Sequence, residues 1–260
     1  HMPRIWYCSA TKSAESHLMP RIFLRSIFLQ SAIVLPMTIT AVYADFDRGL
    51  ELYQSGDAAG AAEEWKLDAE NGNVIAAFLV GHMYKSGNGL TKSTRLAFPY
   101  FLQAAQRGHS DAQVEIGLYY YNGDEEADID QNYLEAANWF DKAALQFSGQ
   151  AQYYLGVMHR EGQGVARDRI EGLRWLSLSA NKFYVPTYLL LAEIYAKGDG
   201  VVEEPAKAAM YLDLARRYSD TSNRGAVSDV YDAIERYISA EERAEGRLQA
   251  QLWVNANDKR

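Results

Sequence analysis

The sequence predicts an all-α chain built as an α-solenoid of stacked helix–loop–helix repeats closed by helical caps. One phrase recurs four times: AAFLVGHMYKSGNG from Ala76, AQVEIGLYYYNG from Ala112, AQYYLGVMHREGQG from Ala151 and TYLLLAEIYAKGDG from Thr187. Aligned on the small residue in mid-phrase (Gly81, Gly117, Gly156, Ala192), the copies are spaced by 36, 39 and 36 residues, a period of helical-hairpin arrays. Further columns follow in register beyond the glycines. No alternation of β-branched residues competes with them, and only six prolines interrupt the chain.

Each repeat reads as helix A, a glycine-containing loop and helix B. A second small residue follows the first at sixteen positions (Ala97, Gly172, Ala208) or nineteen (Ala136). Three residues later stands an aromatic ring: Tyr100, Trp139, Trp175 or Tyr211. Seven before the second small residue is an aliphatic side chain: Leu90, Ile129, Val165 or Val201. Four before it stand Ser93, Asn132, Asp168, and Glu204 ahead of Pro205. Ser, Asn and Asp accept hydrogen bonds from the open N–H groups of a first turn, and proline has no N–H to leave unpaired there. The glycine pairs Gly87/Gly89, Gly162/Gly164 and Gly198/Gly200 are placed to end helix A with positive φ. Small residues let helices A and B approach closely, so Trp139 and Trp175 are expected to fill the core, at about 3–5 kcal/mol each if cut to alanine. One hairpin cannot bury its apolar face alone, so neighbours must stack and the ends need caps.

These segments, LVGHMYKSGNGL, EIGLYYYNG, YLGVMHREGQGV and LLAEIYAKGDGV with their A-x-x-W or A-x-x-Y elements, resemble the Sel1-like repeat, a relative of the tetratricopeptide repeat with a longer loop. The resemblance covers roughly residues 46–218 and implies a right-handed α-solenoid. DRGLELYQSGDAAGAAEEWKLDAENGN, Asp47 to Asn73, is similar to a short-loop tetratricopeptide hairpin turning at Gly56-Asp57, with Ala62 and Trp65 at the helix B spacing. Ser239 to Glu242 reads as a capping box opening a last helix from Ala240 to about Trp253. The expected organisation is therefore an upstream, tag-like segment (1–18), a signal peptide (19–44), the N-terminal hairpin (45–73), four repeats (74–222), and capping helices with a tail (223–260).

The signal peptide rests on Arg21 and Arg25, an apolar run from Ser26 to Thr40 containing one Gln, and small residues at Val42 and Ala44. Cleavage is expected after Ala44, which points to a periplasmic or secreted bacterial product. An uncleaved membrane anchor is the alternative, although the run is shorter than the roughly 20 residues a span needs. Residues 1–44 hold four Lys/Arg and one Glu, so the remainder carries 22 basic and 33 acidic side chains, a net charge of −11. That balance disfavours nucleic acid as a partner, and membrane contact is expected only through an uncleaved signal. Cys8, the single cysteine, falls in the expected leader, so no disulfide or thiol chemistry is expected in the mature chain.

Motifs for catalysis are not found. His82, His109 and His159 have no second ligand at metal spacing, and His159 shares a packing column with Tyr84, Tyr120 and Tyr195. No G-x-S-x-G or phosphate loop occurs, no catalytic or metal residue is assigned, and no cofactor is expected. The second repeat carries an acidic insertion (Asp124, Glu125, Glu126, Asp128, Asp130). It reads first as a solvated loop, then as a partner contact, and last as a cation site, because Ile129 stands where a calcium loop needs glycine.

By analogy with tetratricopeptide relatives, helix A would line the concave side at offsets −3, +1 and +4 from the key small residue. Those positions are Phe78, His82 and Lys85; Val114, Leu118 and Tyr121; Tyr153, Val157 and Arg160; and Leu189, Glu193 and Lys197. Aromatic and apolar residues with scattered charge suit a protein or peptide partner. The resemblance implies adaptor or regulatory duty. The competing reading is an enzyme of the β-lactam-hydrolase type described for cysteine-rich relatives, but the paired cysteines and an S-x-x-K pair are both missing.

Overall fold

Glycine inside a helix costs about 0.5–1 kcal/mol relative to alanine, and its recurrence at Gly81, Gly117 and Gly156 has a packing cause. In the computed structural model, which describes residues 37–257 and their side chains from Phe46 onward, each of these glycines faces one large side chain of the next helix. A Cβ at Gly81 would lie 2.7 Å from Phe101, at Gly117 2.5 Å from Phe140, and at Gly156 2.7 Å from Leu176. All three partners are fully buried. They stand four residues after the second small residue, one position beyond the expected aromatic column. Trp139 and Trp175 are only half-buried, and Lys142 sits 3.9 Å over the Trp139 ring. The core column is thus displaced by one residue from the sequence expectation.

The described residues form twelve α-helices and no strand. The first pair is α1 (Met37–Gln54) and α2 (Ala58–Glu70). The four repeats are α3 (Val74–Ser86) with α4 (Thr94–Gln106), α5 (Ser110–Asn122) with α6 (Tyr133–Leu145), α7 (Gly149–Glu161) with α8 (Arg169–Ala180), and α9 (Val185–Lys197) with α10 (Pro205–Tyr218). Then come α11 (Arg224–Glu235) and α12 (Ala240–Asn257). The fold is an α-solenoid: within each repeat the two helices pack together, and α2 to α7 also pack in chain order across the repeat boundaries. Residues before 37, which include Cys8 and most of the expected leader, lie outside the described residues. The backbone of α1 runs through Ala44 and Asp45.

Local chemistry sets the helix ends. Ser93, Asn132 and Asp168 cap α4, α6 and α8 through their side chains, and Pro205 occupies the first turn of α10. Gly87, Gly162 and Gly198 end α3, α7 and α9 in the left-handed region, as expected. The glycines two residues on let the loops lie against an earlier hairpin; at Gly164 a Cβ would run into the backbone of Tyr133. The turns from helix B to the next helix A also need positive φ, supplied by Gly72 and Gly108 and, unexpectedly, by Phe147 (φ 65°) and Phe183 (φ 60°). Phe183 packs against Tyr218 and Trp253, whereas Phe147 is 70% exposed with Lys182 over its ring.

Three buried clusters run in sequence along the stack, spanning α2–α5, α5–α7 and α8–α12. At one end Gly49 admits the ring of Trp65, whose indole N–H donates to the Phe46 carbonyl at 3.4 Å. At the other, Gly246 lets α12 approach Ala209 and Met210 of α10. Ser239 and Glu242 form the expected reciprocal capping box. The last helix runs to Asn257, four residues past its expected end. The intervening α11 packs against both α9 and α10.

Candidate helix A face and its aromatic string

Helix A presents one row of side chains per repeat, and cross-repeat contacts lace the rows together. On α3, Phe78 stacks on the His109 ring (centroids 4.3 Å apart) and meets His82 edge-on at 4.6 Å. Lys85 forms an ion pair with Glu115 of α5, and His82 Nε2 lies 3.9 Å from the same carboxylate. His109 is the N-cap of α5, its Nδ1 accepting from the Ala112 N–H at 3.3 Å. Burial lowers the pKa of both histidines below the usual 6.5, with Glu115 partly opposing the shift at His82.

Further along, the face is dominated by tyrosine. Tyr121 packs edge-on against Tyr133 and Tyr154, each at 5.3 Å, and its hydroxyl donates to Gln163 at 3.0 Å. Tyr154 meets Tyr153, which meets Tyr184 at 5.5 Å. The five rings make a continuous string from the second repeat to the fourth, every one half-buried. Burial raises the phenol pKa at Tyr121, Tyr153, Tyr154 and Tyr184, so these groups stay neutral hydrogen-bonding hydroxyls. Leu118 and Val157 are half-buried beside them. On α9, Glu193 and Lys197 pair at 3.0 Å and share a shallow depression with Val230 and Ala233 of α11 and with Tyr237 just beyond it.

Three expected lining residues are corrected. Val114 (3% exposed) belongs to the middle core and Leu189 (9%) to the C-terminal core. Arg160 (3%) turns inward, paired with Asp199 in the loop between α9 and α10 of the next repeat, which also meets Arg169 at 3.1 Å. Phe78, His82, Lys85, Leu118, Tyr121, Tyr153, Val157, Glu193 and Lys197 keep solvent exposure. Sequence reasoning missed Glu115, Tyr154, Tyr133, Tyr184 and the contribution of α11. Glu115 and Tyr154 share one column, two before the key glycine, where the flanking repeats have Leu79 and Leu190. Polar atoms in a column that is otherwise leucine were the readable signal.

The acidic insertion has an internal use. Asp124 and Ile129 form a small antiparallel bridge. Asp124 accepts from Thr94 Oγ1 at 2.8 Å, Glu126 accepts from Ser93 and Thr94, and Arg95 Nε donates to the Glu126 carbonyl at 2.7 Å. The loop is therefore pinned to the first turn of α4. Among the described residues no group of three or more His, Cys, Asp or Glu is arranged to hold a metal ion. His159 packs half-buried, with its Nδ1 enclosed and without a hydrogen-bond partner.

A family model described as "Sel1 repeat" matches residues 74–109, 110–146, 149–182 and 186–217. The chain is similar to the chitin synthase regulator SKT5 of Saccharomyces cerevisiae, 27% identical over 149 residues, covering 55% of this chain and 21% of the relative. It is also similar to an exopolysaccharide production negative regulator of Rhizobium meliloti, 25% identical over 146 residues, covering 52% of this chain and 54% of the relative. The matches thus span between about a fifth and about half of these relatives' lengths. Among solved structures, a Sel1 repeat protein from Oxalobacter formigenes aligns with a TM-score of 0.63 and 25% identity, covering 80% of this chain and 82% of that one.

Proposed function

The chain belongs to the Sel1 repeat family, and on that premise we propose that it is a periplasmic or secreted scaffold that holds a protein or peptide partner along the helix A face. Both curated relatives described above are named as regulators, which supports an adaptor or regulatory role over a catalytic one. The observation that carries the reading is the tyrosine string. Five half-exposed rings, locked by mutual edge-on packing, offer large contact area with little rotamer entropy to lose on binding, and their hydroxyls supply adaptable hydrogen bonds. Leu118 and Val157 add apolar contact, while the Lys85–Glu115 and Glu193–Lys197 pairs flank the rings with charge.

The leader-like pattern before Asp45 supports the location. The test is affinity capture from the envelope fraction with tagged full-length chain, repeated with Phe78→Ala, Leu118→Ala and Val157→Ala. Graded loss of one polypeptide across the three variants is expected. Undiminished capture by all three would remove the helix A face as the docking surface.

A further inference from the structure

In this acidic chain the basic side chains of the described residues divide into those that have a carboxylate partner and those that do not. Arg48, Lys66, Lys85, Arg160, Arg169, Arg174, Lys197, Lys207 and Arg243 all form ion pairs. Arg216 and Arg224 are among the described basic residues that do not, and what sets them apart is that they share one cleft, of about 430 Å³, between the end of α10 and α11. The rest of its lining is Ser219, Val227, Ser228 and Tyr231, with no carboxylate. The geometry points to a binding site here for a carboxylate side chain, that of a glutamate in a peptide.

Each part of the cleft suits that group. The Arg216 guanidinium lies 5.0 Å over the Tyr231 ring, which orients its fork without using its N–H donors. Ser219 donates its hydroxyl to the Arg216 carbonyl at 2.9 Å, tying that residue's backbone to the α10 terminus. Arg224, Val227, Ser228 and Tyr231 recur at the spacing of one α-helical face. They supply a second guanidinium, a buried apolar floor (Val227 is 4% exposed), a hydroxyl and an aromatic wall for the methylene stem. Two arginines around a carboxylate give charge-assisted bonds of the strong class. A singly charged group fits better than phosphate. The adjoining small cavity, which shares Arg216 and Tyr231, carries Asp213 and Glu235 beside Arg243 and Arg247, and those carboxylates oppose a dianion more than a monoanion.

The site rests on the protein-binding reading only for the kind of molecule that bears the carboxylate. The test is calorimetric titration of the full chain with acetyl-triglutamate amide, alongside acetyl-triglutamine amide and inorganic phosphate. Triglutamate is expected to bind, triglutamine to bind at least tenfold more weakly, and phosphate more weakly than triglutamate. Arg216→Gln with Arg224→Gln should weaken triglutamate at least tenfold. Ser228→Glu, a change at an exposed helical position, should do the same by putting a carboxylate into the cleft. Phe78→Ala should leave triglutamate affinity unchanged even where it abolishes partner capture, so the two readings fail separately. No triglutamate binding, equal affinity in the arginine and Ser228 variants, or tighter binding of phosphate overturns the proposal.

Discussion

At the scale of single residues, the contact between helices A and B in the first three repeats is made by one large side chain over one missing Cβ. Phe140 lies on Gly117 and is fully buried, while its neighbour Trp139 keeps one face under Lys142 and partly in water. Phe140→Ala should therefore cost about 3–5 kcal/mol in denaturant unfolding, as buried aromatic truncations do, and Trp139→Ala clearly less. The reverse order would mean that the tryptophan column carries the core. His109 supplies a second residue-scale test. Its pKa is lowered by burial, so between that lowered value and 6.5 the unfolded chain binds more protons than the folded one. Its contribution to stability is complete above pH 6.5 and is lost as pH falls through the lowered value. His109→Asn keeps a side-chain cap of the kind Asn73 provides on α3. The variant should lose less melting temperature than the parent between pH 7.5 and 5; an identical loss would remove His109 from the pH response.

At the scale of elements, each repeat is fixed by devices that the sequence shows unevenly. The caps Ser93, Asn132 and Asp168 and the terminal glycines were legible because few residue types satisfy a first turn or a left-handed end. The buried column was placed one residue early because positions three and four after the second small residue share a helix face, and the tryptophans are the more conspicuous. Another device was hidden by unlike side chains. Gln113 bonds the carbonyl of Ala105, Gln152 that of Ala144, and Tyr188 that of Ala180, always eight residues back. Amide and phenol do the same work there, tying the start of helix A to the end of the preceding helix B. The second loop glycines act across hairpins. Gly164→Ala would drive a methyl into the Tyr133 backbone at positive φ, whereas at Gly200 the obstacle is the Arg169 side chain, which can move. Circular dichroism melts should show the larger drop for Gly164→Ala; equal drops would mean that strain in φ alone sets the cost.

At the scale of the whole stack, periodicity made the architecture readable, and it misled again where contacts leave the repeat. Arg160 occupies a helix A surface position by count, yet its partner Asp199 lies 39 residues on and draws it inward. Arg160 is buried but Asp199 is 44% exposed, so Asp199→Asn should lower the stability of the last two repeats together by less than the ~3–5 kcal/mol lost on breaking a fully buried pair. The place of α11 beside α9 had no repeat to announce it, and neither had the cleft at Arg216 and Arg224. The central claim is that the tyrosine string along the helix A face, completed by Tyr133 of α6 and Tyr184 ahead of α9, grips another polypeptide, and site-resolved photocrosslinking addresses it most directly. A benzophenone amino acid would replace Lys85, Leu118, Val157 or Lys197 on helix A, and Leu134 or Ile170 as exposed controls on helix B. One and the same polypeptide crosslinked from the helix A positions, and absent from Leu134 and Ile170, is the predicted result; crosslinks of equal yield from both sets, or from the helix B positions alone, would contradict it.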